Sequence, residues 1–238
     1  MNRSAQAAVL FLLGAAVVHA GATDLALRYV KPGLRPLVVA CGVVLIAAAV
    51  ATVWYERRAR REPGTEAHAH HEPRVSWLLV LPLLALILIA PPALGSYSAM
   101  RAGTSVQEPL AYPPLPAGEP ARIAVADYAG RAAYDHGRTL RDRTFRLTGF
   151  LALDGAGHPY LVRMTLNCCA ADALPVKIGL TGELPPVLRP DAWLEITGTY
   201  SPRMEKDPVN AGRIPFLKVT HARPVEVPED PYDETYNG

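Results

Sequence analysis

The sequence predicts an α + β protein with three N-terminal transmembrane helices followed by a small, closed barrel of β-strands. Long stretches without any charged residue occur only among the first hundred residues, whereas short apolar–polar alternations bounded by turn residues follow them. Charge divides at the same point: residues 1–100 contain nine Lys/Arg and five Asp/Glu, whereas residues 101–238 contain fifteen Lys/Arg and seventeen Asp/Glu. These observations indicate a membrane part and a water-exposed part.

The membrane part is predicted from three charge-free stretches of at least 20 residues, a length that spans the roughly 30 Å apolar layer of a bilayer. They comprise residues 4–23, 36–55 and 75–100. We expect helices at 5–22, 37–55 and 76–94, so that residues 1–95 form a transmembrane domain in contact with membrane lipid. An alternative stays open for the first stretch, because Arg3, an apolar run and Ala20–Ala22 also fit a cleavable secretion signal.

The orientation follows from basic residues in the short loops, since cytoplasmic loops carry more Lys and Arg. The loop after the second stretch has five arginines, and the loop after the first has three basic residues. The sequence therefore predicts a multi-pass cell-membrane protein with a cytoplasmic N-terminus and an extracytoplasmic C-terminal domain.

Residues 96–120 are rich in proline and are predicted to form an extended spacer. Residues 121–238 are predicted to be an OB-like β domain, the small barrel named for oligonucleotide and oligosaccharide binding, with a sandwich as the alternative. Turn residues separate the predicted strands, and one short helix precedes them. The strands are 144–153, 160–166, 175–180, 193–200 and 214–220, and the helix is 126–136. Because this half is mildly acidic, a nucleic-acid partner is not expected.

The sharpest motif is Asn167-Cys168-Cys169-Ala170-Ala171-Asp172, at the end of a predicted strand. A disulfide between adjacent cysteines would be strained, since consecutive Cα atoms lie closer together than disulfide geometry prefers. As thiolates, Cys168 and Cys169 are soft ligands for zinc or copper, with Asp172 as a third ligand. His158 or His221 can complete the site if the barrel brings one of them near. The alternative is that both cysteines are packed core residues.

A second candidate divalent-metal site is the loop containing His68, His70 and His71, three histidines flanked by Glu66 and Glu72. Its alternative is a solvated polar linker. His19, near the end of the first helix, and the following Asp24 are further candidates, since an ionisable group in a membrane helix is costly to bury. Cys41 is expected to be a packing residue.

The order of these parts resembles the YcgQ-type family of two-component permease subunits. The matching segments are His19-Ala-Gly, Tyr29-Val-Lys-Pro-Gly, the histidine loop, Cys168-Cys-Ala-Ala-Asp-Ala, Trp193-Leu-Glu-Ile-Thr-Gly and Pro228-Glu-Asp-Pro-Tyr. The resemblance implies a separate, multi-spanning permease as partner and a link to zinc-like transition metals. It also implies that the first helix is retained. The histidine loop here is shorter than in relatives.

Three functions follow as hypotheses. The first is an accessory subunit of a permease, whose outer domain captures or gates a solute. The second is an independent, membrane-anchored module that binds metal or senses redox state through its thiols. The third is an interaction platform with packed cysteines. An enzyme is not expected, since no acid–base pair or activated nucleophile stands out in the sequence.

Overall fold

The computed structural model describes residues 3–59 and 92–234, with residues 81, 84, 85, 88 and 89 between them. The chain forms two compact units. The helical unit comprises Met1–Leu27 and Pro32–Pro92, and the β unit comprises Arg28–Lys31 and Ala93–Gly238. The short segment 28–31 thus interrupts the helical unit in sequence and belongs to the β unit.

The helical unit contains α1 (Arg3–Ala22) and α2 (Arg35–Ala59), followed in each case by charged residues. One-turn 3-10 helices at Asp24–Arg28 and Pro32–Leu34 lie between them. Both helices are long and apolar enough to cross a membrane. They approach closely at Gly14 and Gly42, since a Cβ atom on either glycine would lie 2.9 Å from the other's carbonyl oxygen.

Helices are therefore present at two of the three predicted positions, and both begin about two residues earlier than predicted. The third predicted helix, 76–94, falls largely outside the described residues. Residues 81, 84, 85 and 88 within it are helical, whereas residues 92–94 are not; Ala93 and Leu94 belong to the β unit and pack among its apolar residues.

The β unit is a five-stranded closed barrel with two additional short strands. The strands are β1 (Ala121–Arg122), β2 (Thr144–Leu153), β3 (Pro159–Leu166), β4 (Leu174–Gly182), β5 (Trp193–Lys206), β6 (Arg213–Pro224) and β7 (Tyr232–Glu234). The barrel strands follow the order β2–β5–β6–β4–β3 and close by pairing of β3 with β2. All barrel pairings are antiparallel except that between β4 and β6. β1 and β7 pair in parallel with β2 and β3.

Inward-facing side chains of the barrel form a continuous apolar core. The core includes Phe145, Leu147, Leu161, Ile178 and Ile196, all fully buried. Helix α4 (Val125–Tyr134) packs its apolar face on this core. Its Tyr128 hydroxyl donates to the Phe216 carbonyl oxygen over 2.7 Å, which pairs the buried polar group. The predicted barrel and its preceding helix are confirmed, whereas β1 and β7 were not predicted.

Residues 96–120, for which an extended proline-rich spacer is predicted, belong to the β unit. Ser96–Arg101 form helix α3, whose first residue donates both its N–H and its hydroxyl to the Asp191 carboxylate. Further on, the Thr104 N–H donates to Asp207 and the Pro113 carbonyl accepts from Arg131. Proline-rich chain without regular structure is thus held here by side chains from the barrel and α4.

Candidate metal centre

The candidate centre lies in the loop between β3 and β4, residues 167–173, which we call the cysteine loop. Its residues Ala170–Asp172 form one 3-10 turn. The Asp172 carboxylate accepts the Asn167 N–H at 2.9 Å and the Cys168 N–H at 2.8 Å, and the Asp172 N–H donates to the Cys169 carbonyl at 3.0 Å. One aspartate therefore closes the loop by accepting N–H groups from the backbone four and five residues before it.

The three predicted ligands come together. One ligand atom each from Cys168, Cys169 and Asp172 lies within 4.8 Å of the other two. Both thiols are free, and Cys168 is exposed. Ligand atoms around a tetrahedral zinc lie roughly 3.5–3.8 Å apart, given zinc–sulfur bonds of about 2.3 Å. A contraction of about 1 Å is thus enough for all three atoms to reach one ion.

The donor set fits a zinc or copper ion in an open site. Two thiolates are soft ligands that select zinc or copper(I), and a carboxylate adds a harder third ligand for zinc. Three protein ligands leave the fourth position of a zinc tetrahedron open. Closed four-ligand sites are structural, whereas an open position permits exchange with another ligand.

The thiol of Cys168 is held in its protonated form. Hydrogen bonding to Asp172, and secondarily to Cys169, raises the pKa of Cys168 to about 11. The same hydrogen bond from Cys168 lowers the pKa of Asp172 against the opposing effect of its slight burial, and backbone N–H groups of the loop lower this pKa further. Thiol redox sensors need a low-pKa thiolate. The arrangement therefore suits a metal ligand, which loses its proton to the metal, better than a thiol that reacts with oxidant.

A second chain segment holds the cysteine loop. Residues 28–31, which we call the strap, run beside it: Val30 forms an antiparallel bridge with Cys169, the Lys31 N–H donates to the Cys168 carbonyl at 3.2 Å, and the Ala170 N–H donates to the Tyr29 carbonyl at 2.7 Å. Both flanks of the cysteine pair are thereby fixed by backbone hydrogen bonds.

Tyr232 on β7 holds the strap from its other side. Its hydroxyl donates to the Arg28 carbonyl at 2.9 Å and accepts the Leu94 N–H at 3.3 Å. Its aromatic ring is buried. The strap thus contacts both the cysteine loop and Tyr232, which lie far apart in sequence.

Sequence reasoning missed the strap and Tyr232 as parts of the site. A signal existed, since Tyr29-Val-Lys-Pro-Gly and Pro228-Glu-Asp-Pro-Tyr are among the segments that carry the family resemblance. Periodicity could not show that they meet, because a single β-bridge leaves no repeating pattern in the sequence.

Neither histidine proposed as a fourth ligand joins the cluster among the described residues. His158 precedes β3, whereas the cysteine loop follows it, and the His158 Nδ1 atom lies 2.9 Å from the Asp154 carboxylate of the β2–β3 turn. His221 lies on β6 opposite Thr197 of β5. The barrel thus carries both rings on other parts of its surface.

The histidine-loop candidates His68, His70 and His71 lie outside the described residues. His19 is exposed on α1, and its carbonyl accepts the N–H and hydroxyl of Thr23. Asp24 pairs with Arg35 at 3.5 Å, and Arg35 also donates to the Gly21 carbonyl. Arg35 thereby caps the C-terminal end of α1, which gives Asp24 a structural role.

Cys41 was expected to be a packing residue, but the structure places it on the exposed side of α2. The contact between α1 and α2 is made instead by small residues such as Gly14 and Gly42.

The fold and site define an OB-like barrel domain with an exposed Cys–Cys–Asp loop, preceded by apolar helices. The chain is similar to the DUF1980 C-terminal domain, whose family model matches residues 128–233. The match runs from α4 to β7 and includes the cysteine loop, and it is consistent with the YcgQ-type resemblance. No curated protein and no solved structure matched the chain.

Proposed function

We propose that this protein is a membrane-anchored accessory subunit of a permease and that its β unit binds a transition metal, zinc above all, at Cys168, Cys169 and Asp172. The observation that carries the metal-binding part is the convergence of two thiols and one carboxylate within 4.8 Å on an exposed loop. The proposed role is binding and not catalysis, since the Cys168 thiol is a protonated, weak nucleophile.

The open coordination position supports transfer over storage. A metal held by three protein ligands can gain a fourth from another molecule before it leaves. Because the Cys168 side chain is exposed, a ligand from another molecule can reach a metal bound there. A solute-capturing subunit needs such a position, whereas a structural zinc site does not.

The permease part rests on the YcgQ-type resemblance and on the apolar helices. Two described helices with few polar groups cannot line a path for a charged ion by themselves. A multi-spanning partner would supply that path, and the helical unit would dock against it. The cell-membrane location and the extracytoplasmic side of the β unit belong to the same proposal.

Metal titration of the full chain in a mild non-ionic detergent tests the binding site. We expect one zinc per chain, lost in the double variant Cys168→Ser/Cys169→Ser. Cys41→Ser is the matched control, because it removes the remaining cysteine of the chain. Zinc stoichiometry should stay at one in this control. A parallel titration with copper(I) under reducing conditions shows which of the two metals the site binds more tightly. Equal metal content in the wild type and the double variant would refute the site.

Co-purification tests the partner. We expect the tagged full chain to retain a multi-spanning permease encoded beside it when both are expressed and extracted in mild detergent. The Cys168→Ser/Cys169→Ser variant should retain the permease as well, because docking is assigned to the helices. Recovery of the chain alone, with its zinc bound, would favour the independent metal-binding module.

A further inference from the structure

Three arginines converge on one carboxylate on the outer wall of the barrel. Arg223 Nε and Nη2 lie 2.9 and 2.8 Å from Glu195 Oε1, Arg122 Nη2 lies 3.2 Å from Oε2, and Arg146 Nε lies 3.7 Å from Oε1. The Glu195 side chain is only 9% exposed, whereas the arginine side chains are 35–71% exposed. We call these four residues the arginine cluster.

The sheet register places the cluster on neighbouring strands. Arg122 of β1 pairs with Arg146 of β2, and Glu195 of β5 pairs with Arg223 of β6. Glu195 lies between Leu194 and Ile196, which are buried core residues, so its side chain faces the outside of the barrel. The cysteine loop joins β3 to β4, so the cluster occupies a different part of the barrel wall.

The cluster has more positive charge and more donors than its own carboxylate can use. Three guanidinium groups and one carboxylate leave a net charge of +2, in a half of the chain with more acidic than basic residues. Among the described residues, the Arg146 Nε is buried and has no hydrogen-bond partner. Each guanidinium has five N–H donors, so most of the donors in the cluster are free for a ligand.

We propose that the arginine cluster binds a phosphate-type oxyanion. A doubly charged oxyanion matches the net charge of +2, and its several oxygens match the paired N–H groups of guanidinium forks. A single carboxylate would leave one positive charge uncompensated. Glu195 holds the three side chains in one place before the ligand arrives, which reduces the rotamer entropy lost on binding. The site is independent of the proposed metal centre.

Titration of the full chain in non-ionic detergent, with inorganic phosphate as probe and EDTA present, tests the proposal. We expect saturable binding that weakens as salt rises. Arg146→Gln should weaken binding about tenfold, as should the more exposed Arg122→Gln, because each removes charge-assisted hydrogen bonds. Lys218→Gln, five residues from Arg223 on the same strand, removes the same charge outside the cluster and should change affinity less than about twofold.

Two further arms complete the experiment. Glycerol phosphate, the soluble fragment of a phospholipid headgroup, is titrated beside inorganic phosphate, and tighter binding of the ester would identify a lipid headgroup as the source. The Cys168→Ser/Cys169→Ser variant should bind phosphate unchanged, which separates this site from the metal centre. Absence of phosphate binding, or equal binding by Arg122→Gln, Arg146→Gln and Lys218→Gln, would overturn the proposal, provided that each variant keeps the wild-type circular dichroism.

Discussion

Asp207 and Asp172 each accept two backbone N–H groups, and the surroundings of the two carboxylates differ in every other respect. Asp207 accepts from Thr104 and Val209 and, over 2.7 Å, from the ammonium group of Lys177. Both members of this ion pair are completely enclosed. Asp172 also closes its own loop, but its further neighbours are two thiols at the surface.

Asp207 is therefore a carboxylate that stabilises the fold, whereas Asp172 lies where a bound ion can be exchanged. The buried pair joins the segment around residue 104 to β4 and the β5–β6 turn, and no solvent competes for it. The exposed cluster is tied to the backbone in the same way, yet its thiols remain accessible. Substitutions in the buried pair should therefore lower the stability of the β unit, whereas substitutions in the exposed cluster should lower its affinity for metal.

The largest expected effect is on the buried pair. Asp207→Ala leaves the Lys177 ammonium buried without its counter-charge, so the free energy of unfolding of the β unit should fall by about 3–5 kcal/mol. Native-state hydrogen exchange of barrel amides in the full chain measures it. Lys177→Met/Asp207→Leu removes both charges and should recover most of the loss. A loss below about 1 kcal/mol for Asp207→Ala would contradict the assigned role.

The same pair predicts an acid response. Burial alone would raise the pKa of Asp207, but hydrogen bonds from Lys177, Val209 and Thr104 lower it below its ordinary value. A lowered pKa contributes stability above the unfolded value of about 3.9, and this stability is lost as pH falls through the folded value. Between pH 5 and 2 the barrel should therefore lose stability more steeply in the wild type than in Lys177→Met/Asp207→Leu.

The second effect is the stabilisation of the β unit by zinc. A ligand that binds only the folded state at a hundred times its Kd stabilises by about 2.7 kcal/mol. Cys168→Ser/Cys169→Ser should abolish this gain while changing the metal-free stability by less than about 1 kcal/mol, since Cys168 is exposed and Cys169 is only half-buried. Hydrogen exchange of the barrel with and without zinc is the measurement. A large loss of metal-free stability would instead favour packed, structural cysteines.

The barrel could be predicted from the sequence because its strands alternate. The predicted strand 144–153 matches β2 residue for residue, and the other four barrel strands are correct to within a few residues, apart from longer C-terminal ends. Two strands also contain a Thr-Gly pair, at residues 148–149 and 197–198, and a Cβ at Gly149 or Gly198 would lie within 2.6 Å of a carbonyl oxygen of the neighbouring strand. Strand bending in a small barrel therefore requires these glycines.

The ligand set of the cysteine loop could also be predicted, since Cys168, Cys169 and Asp172 lie close together in sequence. The segments that hold the loop and the barrel together could not be predicted in this way. The strap is four residues long, and the proline-rich segment 96–120 looks like linker until the partners Asp191, Asp207 and Arg131 are known. Long-range hydrogen bonds to irregular backbone leave no periodic signal.

The third effect is on thiol reactivity. Asp172→Asn removes the negative charge beside Cys168, and the amide oxygen that remains is a weaker acceptor for the thiol proton, so the pKa of Cys168 falls and more thiolate forms at neutral pH. If the pKa of Cys168 falls from about 11 towards 9, the thiolate fraction at neutral pH rises about a hundredfold. Because a thiolate of lower pKa is also a weaker nucleophile, the labelling rate should rise by only about tenfold. Iodoacetamide labelling of Cys168 at pH 7.5, followed by mass spectrometry, measures this.

Asp154→Asn is the matched control for this experiment, because Asp154 closes the β2–β3 turn through two backbone N–H groups in the same manner. It should leave the labelling rate of Cys168 unchanged. Unchanged labelling in Asp172→Asn as well would show that the carboxylate does not hold the thiol proton.

The smallest expected effect is on the strap. Lys31→Pro removes the N–H that donates to the Cys168 carbonyl, whereas Lys31→Ala keeps it, so the pair isolates one backbone hydrogen bond. Loss of that bond costs about 1 kcal/mol, equivalent to roughly fivefold faster hydrogen exchange at the Ala170 amide. Zinc binding by Lys31→Pro should weaken by a similar factor, because a looser loop loses more entropy when its thiols meet one ion. If both variants bound zinc as the wild type does, the strap would merely lie beside the site, and the exposed cluster would depend for its geometry on Asp172 alone.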